Sequence, residues 1–327
     1  MRVGLPSALA NPFYISFWKT YFSELGVTVE ETGATTKAIL DKGVRHSVPE
    51  ICIPVKAYTG HVVELLDRGA DLIYIPRFVS IRKGDTFCPK FLGLPDMLKC
   101  TVPGLESRLL THHLQSNTED IATETNYLNI GEIFTTDTGK IKTAIRKGRT
   151  KWLEFRKLCY SKNYNCQTAN EYLLDGKTAT SKQSPVKIGV IGYVYNIYDS
   201  IIGMDILTRL NDLGVQPITF EMLDSMTLEK QLRRFPKNLF WAFSNKLLAA
   251  AYSFFEDPEI AGVIHVTAFG CGPDSFLGKV LALDSAKYNK PFLTVRVDEH
   301  TGESHLQTRI EAFTDMILKN GYPTECA

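Results

Sequence analysis

The strongest constraint in this sequence is a recurring unit: a short aliphatic or β-branched run, a stretch of helical periodicity, and a glycine where the helix must stop. Residues 3–5 open the first unit, Asn11 and Pro12 supply a helix start, and Gly26 follows the apolar stretch ending at Leu25. A helix that ends in a left-handed residue most cheaply ends in glycine, which has no Cβ to clash. Residues 27–30 then read as a second strand. A short helix at 36–41, a longer one at 54–68 stopped by Gly69, and a strand at 72–75 continue the series. Strands joined through helices run parallel, because each crossover returns the chain to the same edge of the sheet.

The pattern resumes in the second half. Strands are expected at 187–192, 216–220, 260–267 and 292–297, with helices at 199–213 (stopped by Gly214), 238–255, 273–286 and 307–320. Between the two series the chain is more polar, and Lys140, Lys142, Arg146, Lys147, Arg149, Lys151, Arg156 and Lys157 read as the solvated face of a helix. The expectation is an α/β protein of two Rossmann-like three-layer domains with parallel sheets, plus a helical middle segment. The boundaries fall at 1–105 for the N-terminal domain, 106–177 for the helical segment, 178–186 for a linker of small polar residues, and 187–327 for the C-terminal domain.

With 37 Lys and Arg against 36 Asp and Glu, the surface is not built to neutralise phosphates, so nucleic acid is not an expected partner. The most apolar long stretch, 239–255, is broken by Ser244, Asn245 and Lys246 and falls short of the roughly 18 apolar residues of a membrane span. The expected location is the cytoplasm, without a membrane partner.

Seven cysteines, Cys52, Cys88, Cys100, Cys159, Cys166, Cys271 and Cys326, are an odd number in a chain with no secretion signal, so reduced thiols or metal ligands are expected rather than disulfides. None pairs as Cys-x-x-Cys, so any metal site must be assembled by the fold. Cys52, Cys88 and Cys271 share one context: each is followed within two residues by a proline suited to open a helix. The partial positive charge and free N–H groups of a helix N-terminus favour thiolate and anionic sulfur. In parallel sheets the loops beyond the strand ends carry the ligand-binding groups, which puts such cysteines where chemistry is expected. Glycines on both sides of Cys271 would also let backbone approach a bulky inorganic group. The alternative for each thiol is a small buried hydrophobe; Cys100, Cys159, Cys166 and Cys326 lack the helix-start context and are read as structural or incidental.

The ordered segments Cys52-Ile-Pro-Val-Lys56-Ala-Tyr-Thr-Gly60-His61-Val, Ile75-Pro-Arg77-Phe-Val-Ser80, Cys88-Pro-Lys-Phe-Leu-Gly-Leu-Pro-Asp96, Tyr195-Asn196-Ile-Tyr-Asp199, Phe269-Gly-Cys271-Gly-Pro-Asp274 and Asp298-Glu299-His300-Thr-Gly resemble the acyl-CoA dehydratase activase-related proteins. These are distant relatives of 2-hydroxyacyl-CoA dehydratase subunits and of double-cubane-cluster proteins. The resemblance implies an oxygen-sensitive 4Fe–4S cluster, alone or as part of a double cubane, held by Cys52, Cys88 and Cys271 between the domains. It also implies low-potential electron transfer, or reductive or dehydratase chemistry, with a separate ATP-hydrolysing activator, on a small substrate, in a homodimer or heterodimer.

Hydrogen-bond donors and charges around such a centre tune its potential or place a substrate. Lys56, His61, Arg77, Tyr195, Asn196 and His300 are candidates, and Glu50, Asp298 and Glu299 could position cations or relay protons. Two other readings stand beside this one. The chain could be a non-catalytic cluster carrier or scaffold for a dehydratase-like complex, or a metal-free nucleotide-binding protein using the Gly189-Val-Ile-Gly192 turn.

Overall fold

The computed structural model describes residues 1–177, 184–298 and 303–319. The first half runs β1 (Arg2–Leu5), α1 (Asn11–Glu24), β2 (Thr28–Glu31), α2 (Lys37–Arg45), α3 (Ile53–Asp67), β3 (Leu72–Tyr74), β4 (Arg77–Ile81), α4 (Pro89–Leu92), α5 (Leu94–Thr101), β5 (Leu109–Leu110), β6 (His113–Ser116), α6 (Glu124–Glu132), α7 (Thr138–Lys162) and α8 (Cys166–Asp175). The second runs β7 (Lys187–Ile191), α9 (Val194–Ile197), α10 (Ile206–Asp212), β8 (Gln216–Thr219), α11 (Ser225–Leu232), α12 (Ala242–Glu256), β9 (Ile260–Ala268), α13 (Gly272–Ser285), β10 (Phe292–Val297) and α14 (Glu303–Lys319).

Among the described residues the strands form two four-stranded sheets, ordered β2-β1-β3-β5 and β10-β9-β7-β8, and a two-stranded β4-β6 pair. Every strand pairing is parallel. Helices cover the sheets, so the two-sheet Rossmann-like α/β architecture expected from the alternation is present. In each sheet the order reverses once, between β1 and β3 in the first and between β7 and β9 in the second. Open sheets of this kind bind ligands in the crevices beyond those strands' carboxyl ends.

The glycines expected to stop helices do so: Gly26, Gly69 and Gly214 have φ of 84°, 75° and 78°. Two other glycines serve close approach. A Cβ on Gly43 of α2 would lie 1.8 Å from the Lys56 carbonyl oxygen, and one on Gly60 of α3 would lie 1.9 Å from that of Ile39. The two helices therefore touch backbone to backbone, which fixes α3 and the cysteine at its start.

The apolar core interlocks the two halves. Leu40, Ile53 and Ala57 pack into the cluster that holds Val190, Ile264 and Val297, while Tyr193, Phe220 and Phe243 belong with Phe13, Tyr14 and Trp152. Burying each large apolar side chain contributes roughly 1.5–3 kcal/mol. The main chain joins the halves as well, through Thr86 N to Phe240 O and Ala242 N to Thr86 O, both 2.9 Å.

Some elements differ from expectation. The middle stretch begins with the strands β5 and β6 before its helices start at Glu124. The helix expected at 199–213 starts only at Ile206, because Met204 and Asp205 adopt left-handed φ of 47° and 52° and Asp199 caps the amides of Ile201 and Ile202. The helix expected from 238 starts at Ala242, and α11 was not foreseen. Arg156 leaves the solvated face assigned to its neighbours: it is buried, ion-paired to Glu119 at 3.2 Å, and its guanidinium carbon lies 5.1 Å from the centre of the Phe13 ring. Much of the expected 178–186 linker lies outside the described residues.

Candidate functional site

Each of the three cysteines singled out by its proline context occupies a helix N-cap: Cys52 on α3, Cys88 on α4 and Cys271 on α13, with proline in the first two helical positions each time. All three line one partly open cavity of about 140 Å³. The loop after β1 contributes Leu9, the segment after β7 Tyr195 and Asn196, and the loop after β9 Gly270 to Pro273. The cavity thus lies between the two crevices at which the sheet orders reverse, and the halves face each other across it.

The chemistry of the lining is selective. Among the described residues its metal-ligating side chains are the three thiols alone, with no His, Asp or Glu, and Lys90 is the only charged group. An all-thiol set suits soft metals and iron–sulfur clusters. No three His, Cys, Asp or Glu side chains among the described residues converge on a point where one ion would sit. Gly270, at φ 73°, and Gly272 have nothing within 4 Å of the position a Cβ would take, so the backbone beside Cys271 leaves room for a bulky occupant.

Burial governs the thiols. It pushes Cys88 and Cys271 above the ordinary thiol range, while the backbone N–H groups of Lys90 and Phe91, and of Asp274, pull the other way. The Asp274 carboxylate, and after it any charge on Cys52 or Cys88, further disfavours charge on Cys271.

The walls are aromatic and ordered. Tyr195 stacks on Tyr193 with ring centres 5.2 Å apart and lies 5.9 Å from Phe91. Tyr193 shares a 2.7 Å hydrogen bond with Ser244, tying the wall to α12. Asn196, fully buried in α9, has no partner for either Nδ2 or Oδ1.

The other candidates lie elsewhere. His61 is enclosed in α3, with Thr32 Oγ1 2.5 Å from Nδ1 and Thr35 Oγ1 2.8 Å from Nε2, and burial lowers its pKa to about 4. Thr35 also donates to Asp199, so His61 belongs to a clamp between the halves and not to the cavity lining. Lys56 is buried in the same helix, also outside the lining. Arg77 is held by the Leu92 carbonyl and by Asp96 at 2.8 Å. Glu50 is exposed before α3, and Asp298 is half-buried beyond β10. Glu299, His300 and Cys326 lie outside the described residues. Cys100 is exposed, and Cys159 and Cys166 are buried.

Gly189 and Gly192, proposed for a nucleotide turn, are packing glycines. A Cβ on Gly189 would meet Phe254 at 2.5 Å, and one on Gly192 would meet the Val266 carbonyl oxygen at 2.8 Å.

Sequence reasoning missed Leu9, whose φ of 52° is strained for a branched residue, and the fully buried His265–Asp274 pair at 2.9 Å behind Cys271. Leu9 carried a faint signal, its place in the loop after β1. His265 carried none, since a histidine inside an apolar strand has no motif.

Fold and site together define an α/β protein with two parallel sheets and a thiol-lined cavity between their reversal points. The chain belongs to the CoA enzyme activase uncharacterised domain family, whose model matches residues 2–223. The matched span contains Cys52, Cys88 and Asn196 and ends before Cys271. No curated protein matches the chain. Among solved structures, a candidate phosphosugar isomerase from Silicibacter pomeroyi DSS-3 aligns at 10% identity over 98% of this chain and 85% of its own, with a TM-score of 0.19, too low to support any inference. Among the described residues no helix is long and apolar enough to cross a membrane.

Proposed function

We propose that Cys52, Cys88 and Cys271 hold a 4Fe–4S-type cluster, and that the protein acts in low-potential electron transfer, or in reductive or dehydratase chemistry, with a separate ATP-dependent activator. The observation that carries this reading is that three thiols, from segments far apart in sequence, line one cavity in which, among the described residues, no His, Asp or Glu joins them. Membership of a family described by CoA enzyme activases supports the activator part. When bound, the cluster would supply one-electron chemistry at a potential set by its surroundings.

The chain's own residues have distinct tasks. Each helix N-terminus offers N–H groups and a partial positive charge to an anionic sulfur centre. Pro54, Val55, Phe91, Pro273 and the Tyr195 ring restrict water, which strengthens every electrostatic interaction inside. Lys90, half-buried in the lining, places a positive charge where an anionic substrate or partner group would arrive.

The test is iron and acid-labile sulfide per chain after anaerobic purification and reconstitution, with electron paramagnetic resonance of the reduced protein. About four of each are expected, falling sharply in Cys52→Ser, Cys88→Ser and Cys271→Ser. Unchanged iron and sulfide in all three variants would refute the assignment.

A further inference from the structure

A second cavity, of about 300 Å³, lies beside β8, the outermost strand of the second sheet, and shares no lining residue with the thiol cavity. Gln216, at the start of β8, borders it and is 9% exposed. Its side-chain amide has no hydrogen-bond partner among the described residues, yet neither amide atom is sealed from water, so both open into this cavity. The strand holds the residue still, with Gln216 N donating to the Val186 carbonyl at 2.8 Å. A nearly buried amide whose one outlet is a cavity takes its hydrogen bonds from whatever fills that cavity. The rest of the lining repeats this chemistry. Asn165 caps α8 by accepting from Thr168 N at 2.8 Å, which uses its oxygen and leaves its NH2 group to donate. Thr208, Asn211 and Asp212 stand three and four residues apart on one side of α10. Among the described residues the lining carries one carboxylate, Asp212, and no Lys, Arg or His.

We propose that this cavity binds an uncharged polyhydroxyl molecule, of the monosaccharide or cyclic sugar-alcohol class, with the Gln216 amide as its anchor. A carboxamide offers donor and acceptor side by side, which matches neighbouring hydroxyls that each donate and accept. A phosphate or carboxylate would meet Asp212 and no counter-charge, so the lining selects against anions, nucleotides and phosphate esters included. The half-buried Tyr164 adds ring surface for the C–H face of such a molecule. The volume is at the small end of the roughly 300–1,000 Å³ of small-molecule pockets, which suits one ring and not a chain of them. Iron plays no part in this site, so the proposal stands or falls independently of the cluster reading.

The experiment is saturation-transfer NMR and calorimetry on the full-length protein with D-glucose, D-ribose and myo-inositol, each beside its monophosphate ester, repeated on Gln216→Leu and Asn211→Ala. At least one of the three uncharged probes is expected to bind with a Kd of about 1 mM or tighter. Its affinity should fall about tenfold in each variant, and its phosphate ester should bind at least about tenfold more weakly. No binding of any of the three at about 10 mM, a preference for the phosphate ester, or an unchanged affinity in folded Gln216→Leu would each overturn the proposal. Should Gln216→Leu fail to fold, the same criterion passes to Asn211→Ala, at a half-buried position on α10.

Discussion

Replacing Gly60 by alanine sets two physical effects of opposite sign against each other. In an isolated helix the change stabilises by about 1 kcal/mol, because alanine loses less backbone freedom on folding. Here the new methyl would lie 1.9 Å from the Ile39 carbonyl oxygen, where ordinary van der Waals contact begins near 3.4 Å. No side chain can rotate away, since the obstacle is main chain, so α2 and α3 must part by roughly 1.5 Å or bend. Overpacking costs about 1–3 kcal/mol even where side chains can yield, and rigid backbone puts this site at or beyond the top of that range. Net destabilisation of about 2 kcal/mol is expected for Gly60→Ala, and the same for Gly43→Ala, whose methyl would meet the Lys56 carbonyl oxygen. Urea unfolding followed by circular dichroism measures it, with Gly139→Ala, at an exposed position in the first turn of α7 where no backbone stands in the way, as a control that should not be destabilised. If Gly60→Ala matched or exceeded the wild type in stability, the claim of backbone contact between these helices would be wrong.

Acid should weaken the fold through buried histidines. His61 and His112 are both lowered to about 4 by burial, so the unfolded chain binds their protons first, and stability present above about pH 6.5 is lost as pH falls toward 4. Each contributes a loss of about 2 kcal/mol between pH 7.5 and 5 in denaturant titrations; a flat profile would contradict their burial as neutral groups. Glu221 acts in reverse. Burial raises it to about 7, so its contribution grows as pH falls from 7 to 4.5, and Glu221→Gln should lose that gain and show a steeper acid decline than wild type. At Glu119, burial is opposed by Arg156 and Lys246, which hold the carboxyl at about 2. Glu119→Gln would leave two buried cations without their counter-charge and should cost about 3 kcal/mol or more in urea unfolding, whereas a loss under 1 kcal/mol would show the pair to be well solvated.

Where local rules and packing agree, the structure could be read from the sequence. Gly26, Gly69 and Gly214 announce helix ends because their backbone geometry is costly for any other residue, and the strands between them follow from β-branched content. The three cysteines were legible for a related reason: Cys-x-Pro and Cys-Pro at a helix start is a local pattern with a local cause. What could not be read depends on residues distant in sequence. His61 has the look of a site residue, yet Thr32 and Thr35 claim both its ring nitrogens. Arg156 sits in a run of solvated lysines and arginines, and its burial follows only from Glu119 and Phe13. The late start of α10 turns on Met204 and Asp205, neither of which is a recognised breaker.

More than half the chain separates Cys88 from Cys271, and this sets a schedule for biogenesis. When the ribosome has released the first sheet, Cys52 and Cys88 are already in place, but the wall carrying Tyr195 and Asn196 and the turn carrying the third thiol are still to be made. A nascent chain in that state presents only part of the cavity wall and two of its three thiols; the cavity is complete once β9 has docked beside β7 and brought Cys271 to it.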